Sequence, residues 1–579
     1  MTSFRRVAVL ALSVVFCCLS PAIAHDHCAR PFLRGSFLQP DLGDQWTLKQ
    51  WNREFTYMDK ACVNQMVLQW TVDSKYKTTI YPSGLPGYKQ NTRHDVVARA
   101  LDTGDQFKAE IYLGLQINDD WWKKYTNDPK WLRKQALLAN AIADDLWKRY
   151  GNHPSLTGWY LGFEVDNVNE PTKVEWDRLV AFYRTIGNHL HALTPGKPVM
   201  IAPFYNSEAG LDPAQWQQMW EYILCHSPLN ILALQDGVGV GHARLCQLPP
   251  WFKATHDAIV HARPQMDFWS DTETFNEAGE PMFIQGIVDD MRAEQPYVSN
   301  FLSFSFNYYL SPQQANPLYY KTYLGYLRTG KVEHVAPTTP TNLTADSLDT
   351  TMIGLSWNAS TDNVGVVGYK VWRDEKHRAT LYENQPGYVD TGLQPDTQYW
   401  YRVAAFDAAG NQSGLSNVAT ATTQPKDPYG TDLALHKPYT ASMPADPNYP
   451  DTGGVELTDG KLGRIDYTDP PWQGRNTAET YSFTVDLGAI ENIREIRGRW
   501  LQFESVGIFL PQQITYSVSN DGVNFNVVGT VLRPPFGQEN LPAWYTLTNL
   551  TNVSDRYVKA DITPSSEVWT FTDEMEIRR

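Results

Sequence analysis

The chain has 579 residues, too many for a single domain at roughly 150 residues each. With 20% charged, 42% hydrophobic and 13% aromatic residues it is neither disordered, collagen-like nor membrane-spanning in composition. The formal net charge of -15 opposes counterion-driven binding to phosphate backbones, so nucleic acid is not an expected partner. The 20 Trp and 31 Tyr suit ligands with flat apolar C–H faces, sugars above all.

Residues 1–24 read as a secretory signal: Arg5 and Arg6 are followed by the apolar run Val7 to Val15 and the small-residue site Ala22-Ile23-Ala24. The mature chain is therefore expected to be secreted or periplasmic. No later apolar run approaches the ~20 residues that span a bilayer. Outside the signal stand four cysteines, Cys28, Cys62, Cys225 and Cys246. An even number in an oxidising compartment predicts two disulfides. Of the three pairings, Cys28–Cys62 and Cys225–Cys246 are the simplest by proximity.

From residue 25 to 330 short apolar stretches alternate with amphipathic helical ones. Strands are predicted at Arg34–Gln39, Gln65–Thr71, Ala109–Gln116, Thr157–Glu164, Val199–Tyr205, Ile231–Gln235, Asp267–Asp271 and Phe301–Asn307. Between them lie predicted helices such as Asp128 to Tyr150, which opens on Asp-Pro and ends at Gly151, and Lys173 to Leu193, closed by Pro195-Gly196. Eight such repeats in about 300 residues match a (β/α)8 TIM barrel. The open doubly wound alternative lacks a Gly-rich fingerprint after its first strand.

Pro337 and Pro340 mark a stiff linker, after which period-two alternation replaces helical periodicity over residues 336–424. The run Leu393-Gln-Pro395-Asp-Thr397-Gln-Tyr399-Trp-Tyr401-Arg-Val403 resembles the fibronectin type III signature, whose first tyrosine forms the corner of a β-sandwich. A second linker, Gln424 to Pro428, leads into residues 428–579, again rich in strands. There Leu457-Thr-Asp459-Gly460, Trp472, Phe483-Thr-Val485-Asp-Leu487-Gly488 and the terminal Asp573 to Ile577 resemble a discoidin, or coagulation-factor C-type, domain. That resemblance implies a second all-β sandwich that binds sugars through loops at one end. It also implies a structural calcium ion held by Asp459 and Glu574, since hard cations prefer oxygen ligands. Without the metal these two are a turn aspartate and a strand-end glutamate. The fold class is thus multidomain, an α/β TIM barrel followed by two all-β sandwich domains.

In a parallel barrel the working residues gather where strands end at their C-termini. The fourth predicted strand ends in Glu164 and Asp166, and the seventh in Asp271 and Glu273, each pair two residues apart and so on one side of its strand. Glycosidic hydrolysis needs one carboxyl to protonate the leaving oxygen and another to attack the anomeric carbon or activate water. The layout resembles clan A of the glycoside hydrolases, barrels with an acid/base glutamate ending strand four and a nucleophile glutamate ending strand seven. It is similar in particular to a group of secreted bacterial barrel domains that share Gly35-Ser-Phe-Leu-Gln39 and Tyr81-Pro-Ser83. The resemblance implies Glu164 as acid/base with a raised pKa and Glu273 as an ionised nucleophile, in a retaining mechanism without a catalytic cofactor. The clan's asparagine before the acid/base is here Phe163, which leaves the roles of Glu164 and Asp166 open.

Other strand ends supply candidate contacts to a polysaccharide or glycan: Gln39, Gln69, Trp70, Gln116, Asn118, Asn167, Tyr205, Asn206, Gln235, Asp236, Asn307 and Tyr308. Trp121 and Trp122 are candidate stacking platforms or core residues, and His242 follows the glycine-rich Gly237-Val-Gly239-Val-Gly241. No Gly-x-Ser-x-Gly elbow, His-Glu-x-x-His helix or Walker loop occurs. The expected function is a secreted glycoside hydrolase with a sugar-binding module; a non-catalytic carbohydrate-binding or adhesion protein is the rival.

Overall fold

The computed structural model describes residues 28, 30–425, 430–534 and 540–579. The expected signal segment and part of the second linker lie outside them. Two compact units emerge, one reaching His334 together with Ala408–Gly410, the other made of Val335–Asp407 and Asn411–Arg579.

The first unit contains an eight-stranded parallel sheet in sequential order: β1 (Gly35–Leu38), β2 (Gln65–Leu68), β3 (Glu110–Gly114), β4 (Leu156–Leu161), β5 (Val199–Ile201), β6 (Ile231–Gln235), β7 (Asp267–Glu273) and β8 (Asn300–Phe304). Bonds from Arg34 N–H to the Phe301 carbonyl (2.8 Å) and from Ser303 Oγ to the Gly35 carbonyl (2.8 Å) draw the last strand back to the first. Eight principal helices intervene or follow: α1 (Leu48–Lys60), α2 (Val96–Phe107), α3 (Pro129–Tyr150), α4 (Lys173–Leu193), α5 (Pro213–His226), α6 (Leu248–Ala262), α7 (Ile284–Glu294) and α8 (Pro317–Thr329). Their ends are set locally. Asp128 caps α3 by accepting from Trp131 N–H, with Pro129 at the first turn, and Thr172 with Glu175 forms a capping box on α4.

The barrel is filled rather than hollow. Phe37, Val67, Tyr112, Tyr160, Ala233 and Trp269 are among the residues that pack inside it. These positions fix the parity of each strand. Counting on by twos, Gln39, Gln69, Glu164, Phe204, Gln235 and Glu273 continue on the inner face at the mouth, whereas Tyr205 and Asp236 turn outward toward the helices.

Cys28 and Cys62 form the expected disulfide, 34 residues apart in sequence. Closing a loop of that length restricts the unfolded chain by about 3–4 kcal/mol. Cys62→Ser should therefore lower barrel stability by about that much in urea unfolding. The second expected pair is corrected: Cys225 and Cys246 are free and exposed. Cys225 lies near the end of α5, about 18 Å along the helix axis from Pro213. Cys246 instead lines a groove with Asp212 and Pro213, at the start of that helix. A disulfide tolerates no more than about 7 Å between Cα atoms. Cys225→Ser should accordingly shift stability by less than about 0.5 kcal/mol.

The second unit begins with a seven-stranded sandwich. Strands Thr341–Ser347, Ile353–Asn358 and Gly387–Asp390 form one sheet; Lys376–Leu381, Val366–Arg373, Gln398–Asp407 and Ala419–Thr422 form the other. Trp357, Tyr369, Tyr401 and Val403 fill its core. The Tyr399 hydroxyl accepts from Gln394 N–H at 3.0 Å, which is the expected tyrosine corner. Beyond it a five-stranded and a four-stranded antiparallel sheet enclose a core that includes Phe483, Trp500, Tyr516 and Tyr545. Met352 and Val389 of the first sandwich share an apolar cluster with Leu541 of the second.

Candidate active site

Glu164 stands three residues beyond the end of β4, partly open to solvent. Trp121 holds the backbone there: its indole N–H donates to the Glu164 carbonyl at 2.8 Å. The carboxyl is pushed up to about 7, chiefly by burial and further by the charge of Glu273, while a hydrogen bond with the Gln235 amide works the other way. The same Gln235 amide donates to the Ala202 carbonyl at 3.0 Å, so it is held between β5 and the acid.

Glu273 ends β7 and is almost wholly buried. Burial raises its carboxyl to about 7 as well, against the pull of backbone N–H bonds from Val240 and Gly239. The Val240 bond to Oε2 measures 2.9 Å. Asp271, two residues earlier, is buried with Oδ1 unpartnered, and its carboxyl is held well above the usual range by burial and then by Glu273 and Glu164. Three carboxyl groups therefore converge at one mouth. Only Glu273 has two backbone donors, so of the three it is the one best equipped to carry the negative charge.

Phe163, which stands where an asparagine was expected, faces away from the mouth. It is buried and stacks on Trp121 (5.2 Å between centroids), Trp131 (5.7 Å) and Phe182 (5.8 Å). Asp166 does not stand beside Glu164 either. Its carboxylate accepts from the N–H groups of Val168 and Asn169, both at 2.7 Å, and closes a turn.

Several other expected contacts turn out to serve the scaffold. Asn167 donates to the carbonyls of Asn206, Ala209 and Leu211 and folds the loop after β5. Asn206 Oδ1 accepts from Glu208 N–H in the same loop. Gln116 bonds Gln135 on α3, Asn118 bonds Ser74, and Asn307 donates to Glu54 on α1 at 2.7 Å. Tyr205 is fully buried against Trp251, 4.4 Å between ring centroids, and Trp121 is a core residue. Asp236 is fully buried, its carboxylate accepting from the N–H groups of Val238 (3.0 Å) and Glu273 (3.2 Å). Gln39, Gln69, Trp70 and Tyr308 remain partly exposed at their strand ends.

One aromatic row was not foreseen as a unit. Trp122, 47% exposed, lies 6.2 Å from Phe204, which in turn stacks on His242 at 5.8 Å. Phe204 was missed because its neighbour Tyr205 carries the polar group; the signal was parity, since Phe204 follows Met200 and Ala202 by twos on the inner face. The glycines at 237, 239 and 241 were another missed signal, because they let backbone approach a carboxylate.

In the last sandwich, Gly460 N–H donates to Glu574 Oε2 at 2.8 Å, while Glu574 Oε1 is buried without a partner. Asp459 pairs with Lys461 at 2.9 Å. An unpartnered buried carboxylate oxygen beside the Gly460 loop has the chemistry a hard cation prefers, whereas the Asp459 carboxylate is already taken by Lys461. Among the described residues no group of three or more His, Cys, Asp or Glu side chains is placed to hold a metal. No described helix is long and apolar enough to cross a membrane.

Known proteins resemble parts of this chain. An α-amylase of Niallia circulans is 39% identical over 128 residues, 21% of this chain but 10% of that protein. Chitinase A1 of the same organism is 41% identical over 110 residues, 19% of this chain and 16% of that protein. The chain thus spans under a fifth of the length of these curated relatives, and each matched stretch is shorter than the barrel. Among solved structures, a protein assigned as an α-L-fucosidase from Bacteroides thetaiotaomicron covers 52% of this chain and 96% of its own, with 20% identity and a TM-score of 0.44. Residues 338–422 match the fibronectin type III family. Residues 33–316, which hold the barrel strands and all three carboxyl groups at its mouth, match the family described as domain of unknown function DUF4434.

Proposed function

We propose that the barrel is a glycoside hydrolase that cleaves glycosidic bonds in a polysaccharide by a retaining two-carboxylate mechanism. The observation that carries this reading is the unequal surroundings of two neighbouring acids. Glu273 accepts backbone N–H bonds, whereas Glu164 lies against a neutral amide and feels the charge of its partner. That asymmetry assigns proton donation to Glu164 and attack on the anomeric carbon to Glu273. In the first step the C–O bond to the leaving group breaks as the Glu164 proton passes to that oxygen and Glu273 forms a glycosyl ester. Water, deprotonated by Glu164, then releases the sugar and restores both acids. The row Trp122, Phe204 and His242 offers flat faces for the pyranose rings on either side of the cut.

The two sandwiches serve presentation in this reading. The last of them is a discoidin-like sugar-binding module with a calcium ion held by Glu574, Asp459 and loop carbonyls, and it keeps the enzyme near its polymer. Secretion or periplasmic export accords with the disulfide. The test is release of new reducing ends from a panel of bacterial, plant and host glycans, with the anomeric product followed by proton NMR. Retention of configuration is expected; a product inverted at the anomeric carbon would replace the double displacement with a water-activating one.

A second reading is favoured by Phe163. Because that side chain is packed in the aromatic stack, nothing at that position hydrogen-bonds a sugar hydroxyl. A barrel that binds glycans without cutting them would leave every glycan in the panel intact and still retain one on the solid phase.

A further inference from the structure

The segment directly after β6 reads Asp236-Gly-Val-Gly-Val-Gly-His242. Gly237 and Gly241 adopt φ values of 72° and 73°, the left-handed region that side-chain-bearing residues avoid, so the chain folds sharply back on itself. The fold aims two consecutive N–H groups, those of Gly239 and Val240, at the Glu273 carboxylate. The approach leaves no room for a side chain. A Cβ on residue 239 would lie 2.5 Å from the Phe275 carbonyl oxygen and 2.9 Å from Glu273 Oε2.

Asp236 ties this loop to the strand that bears the acid. Its two carboxylate oxygens take separate N–H groups, Oδ1 that of Val238 and Oδ2 that of Glu273 itself. Around it stand Tyr205 beyond β5, Glu273 of β7, and Asp290 and Glu294 of α7, with Ser270 and Thr272 of β7 bonded to Glu294. Among the described residues no Lys, Arg or His forms an ion pair with Asp236, Glu273, Asp290 or Glu294. Backbone dipoles therefore do what a cationic side chain would do elsewhere.

Resting on the glycosidase reading, we propose that residues 236–242 form a backbone anion nest that keeps the negative charge on Glu273, with Asp236 as its buried positioning residue. The physical advantage is selectivity between two nearby acids. The field of a full positive charge falls off slowly, so it would favour ionisation of Glu164 as well as Glu273. Two N–H groups in contact with one carboxylate act at hydrogen-bond range and leave Glu164 with its proton. Gly239 is needed for close approach, Val240 for its N–H, and Asp236 for the register between loop and strand.

The charge can be observed without a substrate. In the full-length protein labelled with 15N, the amide protons of Gly239 and Val240 should shift with the titration of Glu273, and the shift should vanish in Glu273→Gln. In protein carrying 13C at the Glu carboxyl carbons, Val240→Pro and Gly239→Ala should move the Glu273 midpoint upward by about one to two pH units, with Glu164 moving down. Asp236→Asn, which keeps one acceptor oxygen but sets an amide NH2 against the N–H group that the other oxygen accepts, loosens the register between loop and strand and should move it in the same direction by less. A wild-type protein in which neither amide follows the titration overturns the nest, whatever the variants do. So do folded Val240→Pro and Gly239→Ala proteins whose Glu273 midpoint stays in place. Titrating amides in a protein that cleaves no glycan would leave the nest standing and remove the hydrolase reading instead.

Discussion

Glu273→Gln is expected to lower glycan cleavage by at least about 10³-fold while leaving glycan binding within a few-fold of the natural protein. The amide is nearly the size of the carboxylate but cannot form the glycosyl ester or balance positive charge at the anomeric carbon. Glu164→Gln should cost about 10²- to 10⁴-fold, the range for one general acid, and least with substrates whose leaving group needs no proton. The pH profile separates the two roles. Both carboxyls lie near 7, Glu164 held up by burial and by its partner's charge. Activity should therefore fall on the alkaline side as Glu164 loses its proton and on the acid side as Glu273 gains one, giving a narrow bell. With an activated leaving group, Glu164→Gln should lose the alkaline limb and keep the acid one. Cleavage by Glu273→Gln within tenfold of the natural protein would end the assignment.

The second large effect concerns stability and comes from a residue outside the mouth. Glu170 is fully buried in the loop after β4, with one carboxyl oxygen unpartnered and the other accepting from Asp166 N–H. Burial, then the charge of Asp166, pushes its carboxyl up from 4.5 to about 9. Glu54 and Asp290 are likewise buried and raised to about 7, each mainly by burial. A raised folded-state pKa means that the native barrel binds protons the unfolded chain has already released. The stability these groups contribute is thus complete below about pH 4.5 and is lost as pH rises through 7 and on to 9. The melting temperature of the barrel should fall by several degrees between pH 5 and pH 9. Glu170→Gln mimics the neutral acid and has no proton to lose. It should stabilise the barrel by on the order of 2–4 kcal/mol at pH 8 and change little at pH 4.5. A lower melting temperature for that variant at pH 8 would show that Glu170 is ionised in the fold.

Much of the barrel is legible in its sequence because the signals are local. Each apolar run between helices becomes a strand, and α3 and α4 begin and end where Asp128-Pro129, Thr172 and Gly151 place them. Tyr399 likewise declares its sandwich, since the corner it makes reaches only five residues back. Glu164 and Glu273 could be named because a strand's C-terminal end is visible as the point where apolar residues stop.

What lay beyond the sequence was which way each strand end faces. Strands of a parallel barrel are buried on both sides, inside by the barrel core and outside by helices, so they read as nearly continuous apolar runs without alternation. Asp236 therefore looked as well suited to the mouth as Gln235, and Tyr205 better suited than Phe204. Only the packed interior, with Ala233 and Ala202 pointing inward, fixes the parity that turns Asp236 and Tyr205 away. The donors to Glu273 come from a loop more than 30 residues earlier, and Cys225 and Cys246 lie toward opposite ends of one helix, so closure of the ring decided both. Local chemistry names the residues that are able to act; distances across the barrel select the ones that meet.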